Sequence, residues 1–195
     1  MSEIPKRRLF VAVELPDRWR DEASRIRREV ELVAGGELRW VRPDLIHLTV
    51  AFLGYQTEES LPTIERALEL AATEIPSFRM GLGRPGCFGQ PRNLRTIWLG
   101  LAEVPAGLQQ LHRAVSERLT EGAIAFDRKP LVPHITLARA RPTMRSQLSL
   151  HIHAKLVGTK VGIVLPLDVA QFVLMQSHLS PKGPEYQVVR AFSLG

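Results

Sequence analysis

Two copies of one short motif carry the chemistry that this chain could perform. His47 and Thr49 lie in the stretch IHLTVAF, and His134 and Thr136 lie in the stretch PHITLAR. In each copy the His and the Thr are separated by one apolar residue. Side chains alternate between the two faces of a β-strand, so the His and Thr of a motif share one face and their apolar neighbours share the other. Each motif therefore predicts a buried strand that presents an imidazole and a hydroxyl to one site.

Two imidazoles and two hydroxyls suit acid–base chemistry at a phosphate. The unperturbed pKa of histidine is about 6.5, so near neutral pH one ring can be neutral and the other protonated. The neutral ring can remove a proton from an attacking water or hydroxyl, and the protonated ring can give one to the leaving oxygen, each transfer contributing typically about 10² to 10⁴ in rate. The threonine hydroxyls can donate hydrogen bonds to the non-bridging phosphate oxygens. A strained cyclic phosphodiester needs these groups, and we expect no metal and no other cofactor.

The segments around the two motifs repeat at a constant offset of 87 residues. This offset superposes His47 on His134 and Pro43 on Pro130, and no gap is needed from residue 10 to residue 51. Each copy is predicted to run strand, helix, loop, His-bearing strand. Such a repeat indicates an internal duplication, and two copies are too few for a solenoid.

The duplication predicts two lobes related by a pseudo-two-fold axis. The whole chain, 1–195, would be a single domain of two pseudo-symmetric lobes that share a central groove. Apolar stripes with a helical period predict helices at 17–34 and about 105–121. A short helix is expected near 143–150, and the apolar run 161–167 is expected to be a strand.

Composition indicates a folded protein with an anionic partner. Hydrophobic residues make up 45% of the chain and charged residues 24%, with a net charge of +6 and a pI near 10.1. A basic protein favours an anionic partner, most commonly nucleic acid. Arginines on solvated helix faces would account for the same excess equally well.

Cysteine content and hydropathy predict the compartment. Cys87 is the only cysteine, so no disulfide can form within the chain, which fits a reducing environment. The apolar run near the N-terminus is too short for the core of a signal peptide. No uninterrupted apolar run approaches the ~20 residues of a spanning helix. We therefore expect a cytoplasmic, soluble monomer that has no membrane partner.

The sequence allows four other interpretations. Zinc usually takes a third protein ligand at short spacing, but the residue two positions after each His is Thr. The sequence contains no GxxxxGK[ST] loop, so an ATP-consuming ligase is not supported. A non-catalytic RNA- or nucleotide-binding module would also suit the basic charge. Such a module would keep its affinity for the ligand and show no turnover. Histidines whose hydrogen bonds are all made within the core would instead affect only the stability of the protein.

The segments that flank the motifs resemble one known family. They are similar to the two-histidine phosphoesterase superfamily, and specifically to the bacterial and archaeal RNA 2',3'-cyclic phosphodiesterases, also called 2'-5' RNA ligases. The resemblance covers nearly the whole chain and is carried by RLFVAVELP, RWVRPDLIHLTVAFLG, GCFGQPRNLRTIWLGL, PHITLAR and QSHLSPKGPEYQVV.

The resemblance implies a fold, an activity and a set of roles. The implied fold is α+β, bilobal and internally duplicated, with two antiparallel sheets flanking a central groove and helices on the outside. The implied reaction is metal-independent hydrolysis of RNA 2',3'-cyclic phosphate ends to 2'-phosphates, with RNA ends or cyclic nucleotides as the partners. ATP-independent 2'-5' ligation is the alternative reaction at the same site. His47 would protonate the departing 3' oxygen and His134 would activate water, although pseudo-symmetry allows the opposite assignment. Thr49 and Thr136 would bind the phosphate. The family motif continues through Arg139, which would also contact it.

Three side chains could lie either at the groove or away from it. Arg139 follows Thr136 by three residues, so on an ideal strand it would face away from the site, unless the strand bends. An exposed arginine at a strand end is an equally good interpretation. We expect Tyr186 to pack in the core rather than at the groove, and we expect the same of Phe10.

The remaining histidines are expected to have no catalytic role. His151 and His153 also stand two residues apart, but no threonine accompanies them and the duplication does not reproduce them. His112 is expected on a polar helix face. His178 precedes a turn, and its role is open.

Overall fold

The structure is a computed structural model that describes residues 6–181 and 183–195. Residues 1–5, which are part of the N-terminal run predicted not to be a signal peptide, lie outside the described residues. The strands are β1 Lys6–Glu14, β2 Leu38–Trp40, β3 His47–Thr57, β4 Phe78–Met80, β5 Leu82–Gln90, β6 Asn93–Leu101, β7 Ile135–Ala140, β8 Leu167–Val169, β9 Gln171–Ser180 and β10 Gly183–Ser193. The helices are α1 Asp17–Ala34, α2 Leu61–Thr73, α3 Ala106–Glu121 and α4 Ser146–Gly158, with short 3-10 helices at Pro43–Leu45 and Glu58–Ser60.

The strands form two antiparallel sheets of unequal size. In the larger sheet the order is β10-β9-β1-β3-β7-β6-β5, and β2 pairs with β7. Its two halves, β10-β9-β1-β3 and β7-β6-β5 with β2, are joined by the pair Leu48 and Ile135. Strands β4 and β8 form the smaller sheet. The predicted α+β class with antiparallel sheets is confirmed.

The helices pack on one face of the larger sheet because each carries an apolar stripe. On α1, Trp19, Ile26 and Val30 are fully buried, and they join the same core as Leu48 and Val50 from β3. Burial of each such side chain contributes about 1.5–3 kcal/mol. The opposite face of the sheet has a second, smaller apolar cluster and carries the polar residues of the two motifs.

The order of the elements repeats along the chain as the duplication predicts. Strands β1 and β6 are offset by 87 residues at both ends, Lys6 to Asn93 and Glu14 to Leu101. Outside β3 and β7, which meet at the centre, β1 pairs with β9 just as β6 pairs with β5. Strands β4 and β8, one from each half, pair with each other, and β10 is an additional edge strand.

Two sequence-based expectations were wrong near the C-terminus. The helix expected at 143–150 runs from Ser146 to Gly158, because its buried positions continue to Leu156. The run 161–167 is irregular until Leu167, although strand formation was expected throughout. This segment is tied to α1 instead: Glu22 accepts a hydrogen bond from the backbone N–H of Gly162, 2.7 Å. Within the described residues, no helix has the length and apolar character needed to cross a membrane.

Replacing Leu48 with Ala should lower the free energy of unfolding by about 2–5 kcal/mol, because it leaves a cavity in a core that cannot collapse fully. Leu48 is 0% exposed and lies at the junction of the two half-sheets. The matched control is Leu32→Ala, since Leu32 is 88% exposed and should change stability by less than about 0.5 kcal/mol. Urea unfolding followed by circular dichroism measures both. Equal effects of the two substitutions would contradict this account of the junction.

Candidate active site

The pairing of β3 with β7 brings the two His-x-Thr motifs together. Leu48 and Ile135, the second residue of each motif, are antiparallel partners. Extending that register by one residue in each direction sets His47 opposite Thr136 and Thr49 opposite His134. The two histidines then occupy one diagonal of a four-residue square, with Cα atoms about 7–8 Å apart. The apolar partners are buried on the other face, which fixes the direction of the polar side chains.

A β-bulge in each of these strands extends the polar face beyond the threonine. Partners of β1 shift from Ala51 to Thr49, which leaves Val50 as the extra residue of β3. In β7 the shift from Ala138 to Thr136 leaves Leu137 as the extra residue. A bulge reverses the alternation of side chains beyond it. Residues three positions after each threonine therefore return to the groove face.

One groove of about 1140 Å³ contains both motifs. It is lined by Arg8, Phe10, Arg39, Trp40, Val41, Arg42, Leu45, His47, Thr49, Phe52, His134, Thr136, Arg139, Pro181, Gly183, Pro184 and Tyr186. Four of these residues are arginines, and none of the described residues in the lining is Asp or Glu. Arg42 is paired with Asp44, and the other three arginines give the groove a positive charge that suits an anionic ligand.

Both histidine rings are held in the same way. The Nδ1 atom of His47 lies 2.8 Å from the carbonyl oxygen of Leu45, and the Nδ1 atom of His134 lies 2.7 Å from that of Val132. A carbonyl oxygen can only accept, so Nδ1 carries the hydrogen in both rings. In the neutral tautomer Nε2 then has the free lone pair. Each ring has its Nε2 available for proton transfer.

Aromatic side chains fix the two rings from the side. Phe10 lies 4.9 Å from the His47 ring, centroid to centroid, and Tyr186 meets that ring edge-on at 5.2 Å. Phe88 meets the His134 ring edge-on at 4.8 Å.

The hydroxyls of Thr49 and Thr136 have no hydrogen-bond partner among the described residues, so they remain able to bind a ligand.

Burial makes His47 hard to protonate in the free protein. Desolvation lowers the pKa of His47 below its ordinary value of 6.5, the hydrogen bond to Leu45 opposes this, and the charge of His134 lowers the pKa further. Burial also raises the pKa of the Tyr186 hydroxyl, against the charges of Arg8 and Arg139. The neutral form of His47 is therefore favoured when the groove holds no anion.

All five residues predicted for the site line this groove, but reasoning from the sequence misjudged their neighbours. Arg139 faces the groove because of the bulge at Leu137, a feature that alternation alone does not predict. Tyr186 and Phe10 were expected in the core, and both line the groove in contact with His47. Phe10 is nevertheless 3% exposed and belongs to the smaller apolar cluster.

The other histidines lie away from the groove lining. His112 is partly buried, and its Nδ1 atom lies 2.9 Å from the carbonyl oxygen of Val50. His151 and His153 lie on α4, where His151 is exposed. His178 is exposed on β9, with Nε2 3.4 Å from the side-chain oxygen of Gln187. Among residues 6–181 and 183–195, no three His, Cys, Asp or Glu side chains are grouped so that they could hold a metal ion.

The fold and the paired motifs define a class of phosphoesterase, and comparison with known proteins agrees. A family model described as LigT-like phosphoesterase matches residues 13–98. A protein of Methanothermobacter thermautotrophicus, named RNA 2',3'-cyclic phosphodiesterase, is 30% identical over 97% of this chain and 100% of its own length. The protein of the same name from Thermus thermophilus is 36% identical, over 96% of this chain and 90% of its own. The chain therefore belongs to this phosphoesterase family.

Solved structures show the same fold. The crystal structure of Escherichia coli LigT complexed with 3'-AMP superposes with a TM-score of 0.75 at 27% identity. The match covers 97% of this chain and 99% of LigT.

Titration of His47 by NMR should give a midpoint below 6.5, with the neutral ring in the Nδ1–H tautomer. The unfolded state binds the proton at higher pH than the folded state, so stability should fall as the pH drops from about 6.5 through the folded pKa of His47. Ring ¹⁵N shifts measure the tautomer and the midpoint, and the urea-unfolded chain is the reference. A His47→Gln variant should lose this part of the pH dependence. A midpoint at or above 6.5 would contradict the effect of burial.

Proposed function

We propose that this protein hydrolyses RNA 2',3'-cyclic phosphate ends to 2'-phosphates, with no metal, by two His-x-Thr motifs. The observation that carries the proposal is that both motifs line one groove, related by antiparallel pairing at Leu48 and Ile135. The activity named for the relatives supports the substrate class. The LigT complex with 3'-AMP supports a nucleotide ligand.

The reaction follows from two proton transfers at opposite sides of one phosphorus. His134 Nε2 removes a proton from water as the water oxygen bonds to phosphorus. The bond from phosphorus to the 3' oxygen breaks, and that oxygen takes a proton from His47 Nε2. The product has a 2'-phosphate and a 3'-hydroxyl, and solvent exchange restores both rings. Each transfer contributes about 10² to 10⁴ in rate.

Threonine hydroxyls and the arginine-lined groove would stabilise the developing charge. Thr49 and Thr136 line the groove and would donate hydrogen bonds to the non-bridging oxygens, since neither hydroxyl is engaged within the described residues. Arg139 adds to the positive charge of the same face of the groove. Preorganised donors and charges of this kind favour the transition state when they are directed at the oxygens on which charge builds.

The acid role of His47 depends on the substrate. In the free protein its lowered pKa favours the neutral ring, which is the form of a base rather than an acid. A bound phosphate anion favours the imidazolium, and so raises the pKa of His47. The assignment of His47 as acid and His134 as base therefore requires that binding precede protonation of His47.

The same groove supports 2'-5' ligation as an alternative reaction of the cyclic phosphate. A 5'-hydroxyl would take the place of water, and the strained cyclic phosphate would supply the free energy, with no need for ATP.

We further propose that the chain is a single domain of two lobes and acts as a monomer in the cytoplasm. The repeated element order supports the lobes, and the lone Cys87 supports a reducing compartment.

Adenosine 2',3'-cyclic phosphate in the presence of EDTA should be hydrolysed to adenosine 2'-phosphate. His47→Ala and His134→Ala should each lower kcat by at least about 10²-fold, because each removes one proton transfer. Chromatography of the products gives both the rate and the position of the phosphate.

His151→Ala is the matched control, since His151 is exposed on α4 and should leave the rate unchanged. Thermal unfolding should show that all three variants stay folded. Turnover that depends on added metal would overturn the mechanism. Retained binding of the cyclic nucleotide with no turnover in the wild-type protein would favour a binding module instead. A 3'-phosphate product would overturn the acid and base roles alone.

Adenosine 2'-phosphate should raise the pKa of His47 when it binds. The phosphate charge near the ring opposes the effect of burial, so the midpoint should move upward from its value in the free protein. The measurement is an NMR titration of His47 with and without saturating ligand, and inosine without phosphate serves as the control. If the midpoint does not move, the proposed acid and base roles of His47 and His134 must be exchanged, and His47 is the base.

A further inference from the structure

Chemically different side chains occupy equivalent positions in the two halves of the groove. Phe52 follows Thr49 by three residues, and Arg139 follows Thr136 by three residues, so the two positions are related by the duplication. Each reaches the groove through the bulge in its own strand. Phe52 is 46% exposed and borders a second cavity of about 470 Å³. The equivalent position is therefore aromatic in one half of the groove and cationic in the other.

A second arginine lies opposite Arg139 on the neighbouring strand. Arg39 on β2 is the direct antiparallel partner of Arg139 on β7, and both side chains line the groove. Neither arginine forms an ion pair with a carboxylate among the described residues. The strand β2 is held firmly: the backbone N–H of Val41 donates to Leu137, 2.8 Å, and the indole of Trp40 donates to Glu31 of α1.

Two like charges directly opposite across a strand pair destabilise the sheet. Both side chains are exposed, and among the described residues no carboxylate forms an ion pair with either of them to offset such repulsion. A bridging anion would reverse the sign of the interaction, because two planar guanidinium groups can each donate a fork of hydrogen bonds to one phosphate. The arrangement therefore has the chemistry of a phosphate-binding pair.

We propose that Arg39 and Arg139 form a second phosphate subsite, which binds the phosphodiester preceding the cyclic end of an RNA strand. This inference rests on the proposed function and specifies its substrate as an RNA end of at least two nucleotides. The reacting phosphate lies between the two His-x-Thr motifs. The Cα atom of Arg139 is at most about 10 Å along β7 from that of Thr136, three strand steps. The arginine pair is thus within one nucleotide step of the reacting phosphate.

The difference between Phe52 and Arg139 at these equivalent positions favours one orientation of the substrate. A phosphate is favoured next to Arg39 and Arg139, whereas a nucleobase is favoured against the exposed ring of Phe52, because bases stack on aromatic side chains. The terminal nucleoside would then lie toward Phe52, and the upstream chain would leave past the arginines.

The test compares three substrates that share a terminal adenosine 2',3'-cyclic phosphate. They are the mononucleotide, the ApA dinucleotide with its normal phosphodiester, and the same dinucleotide with an uncharged methylphosphonate linkage. The value of kcat/KM should be about tenfold or more higher for the normal dinucleotide than for the mononucleotide. The reason is that hydrogen bonds to a charged phosphate typically strengthen binding by about this factor. The methylphosphonate dinucleotide should behave like the mononucleotide.

Arg39→Gln should reduce the dinucleotide advantage to near one, while Arg66→Gln should leave it intact. Arg66 is exposed on α2 and outside the groove lining, which makes it a matched control. For the wild-type protein, the slope of log kcat/KM against log salt should be steeper by about 0.7 for the normal dinucleotide than for the mononucleotide. Arg39→Gln should remove that difference.

The outcomes separate this inference from the function on which it rests. If none of the substrates is hydrolysed, the proposed function fails, and this inference fails with it. If all three are hydrolysed equally by the wild-type protein, or if Arg39→Gln keeps the full dinucleotide advantage, the second subsite is overturned and the proposed function stands. An equal advantage for the methylphosphonate dinucleotide would also overturn the subsite, since the gain would then come from the added nucleoside.

Discussion

The pairing of Leu48 with Ile135 is the constraint on which the site depends. Each of these residues stands between the His and the Thr of its own motif, and each is buried in the core beneath the sheet. Their pairing fixes the register, and burial fixes the direction of the neighbouring side chains. Four polar groups consequently meet on one face, with the histidines on a diagonal. Proton transfer at two sides of one phosphorus becomes geometrically reasonable for this reason.

The two halves of the groove have equivalent backbone positions but different side chains at those positions. Equivalent bulges in β3 and β7 turn equivalent positions toward the ligand, but those positions hold Phe52 in one half and Arg139 in the other. The antiparallel pairing of the two motifs suits a reaction with two similar proton transfers. The departure from symmetry suits a substrate whose two sides differ, because a nucleobase and a phosphate chain require different surroundings.

The two histidines are held alike but differ in their surroundings. A carbonyl oxygen two residues upstream fixes the tautomer of each ring. Phe10 and Tyr186 enclose His47, whereas His134 has Phe88 at its edge. Desolvation therefore affects His47 strongly enough to lower its pKa. Binding of an anion would act in the opposite direction, which couples the protonation state of His47 to occupancy of the groove.

The sequence by itself determined the local features: the two His-x-Thr faces, the 87-residue repeat, and the helices whose apolar stripes have a clear period. These follow from the alternation and periodicity of neighbouring residues, which a linear chain displays directly. Tertiary structure alone decided that Arg139 faces the groove, that Phe10 and Tyr186 enclose His47, and that Arg39 opposes Arg139. Each of these depends on strand register or on a bulge, and these are set by pairing between segments far apart in the chain.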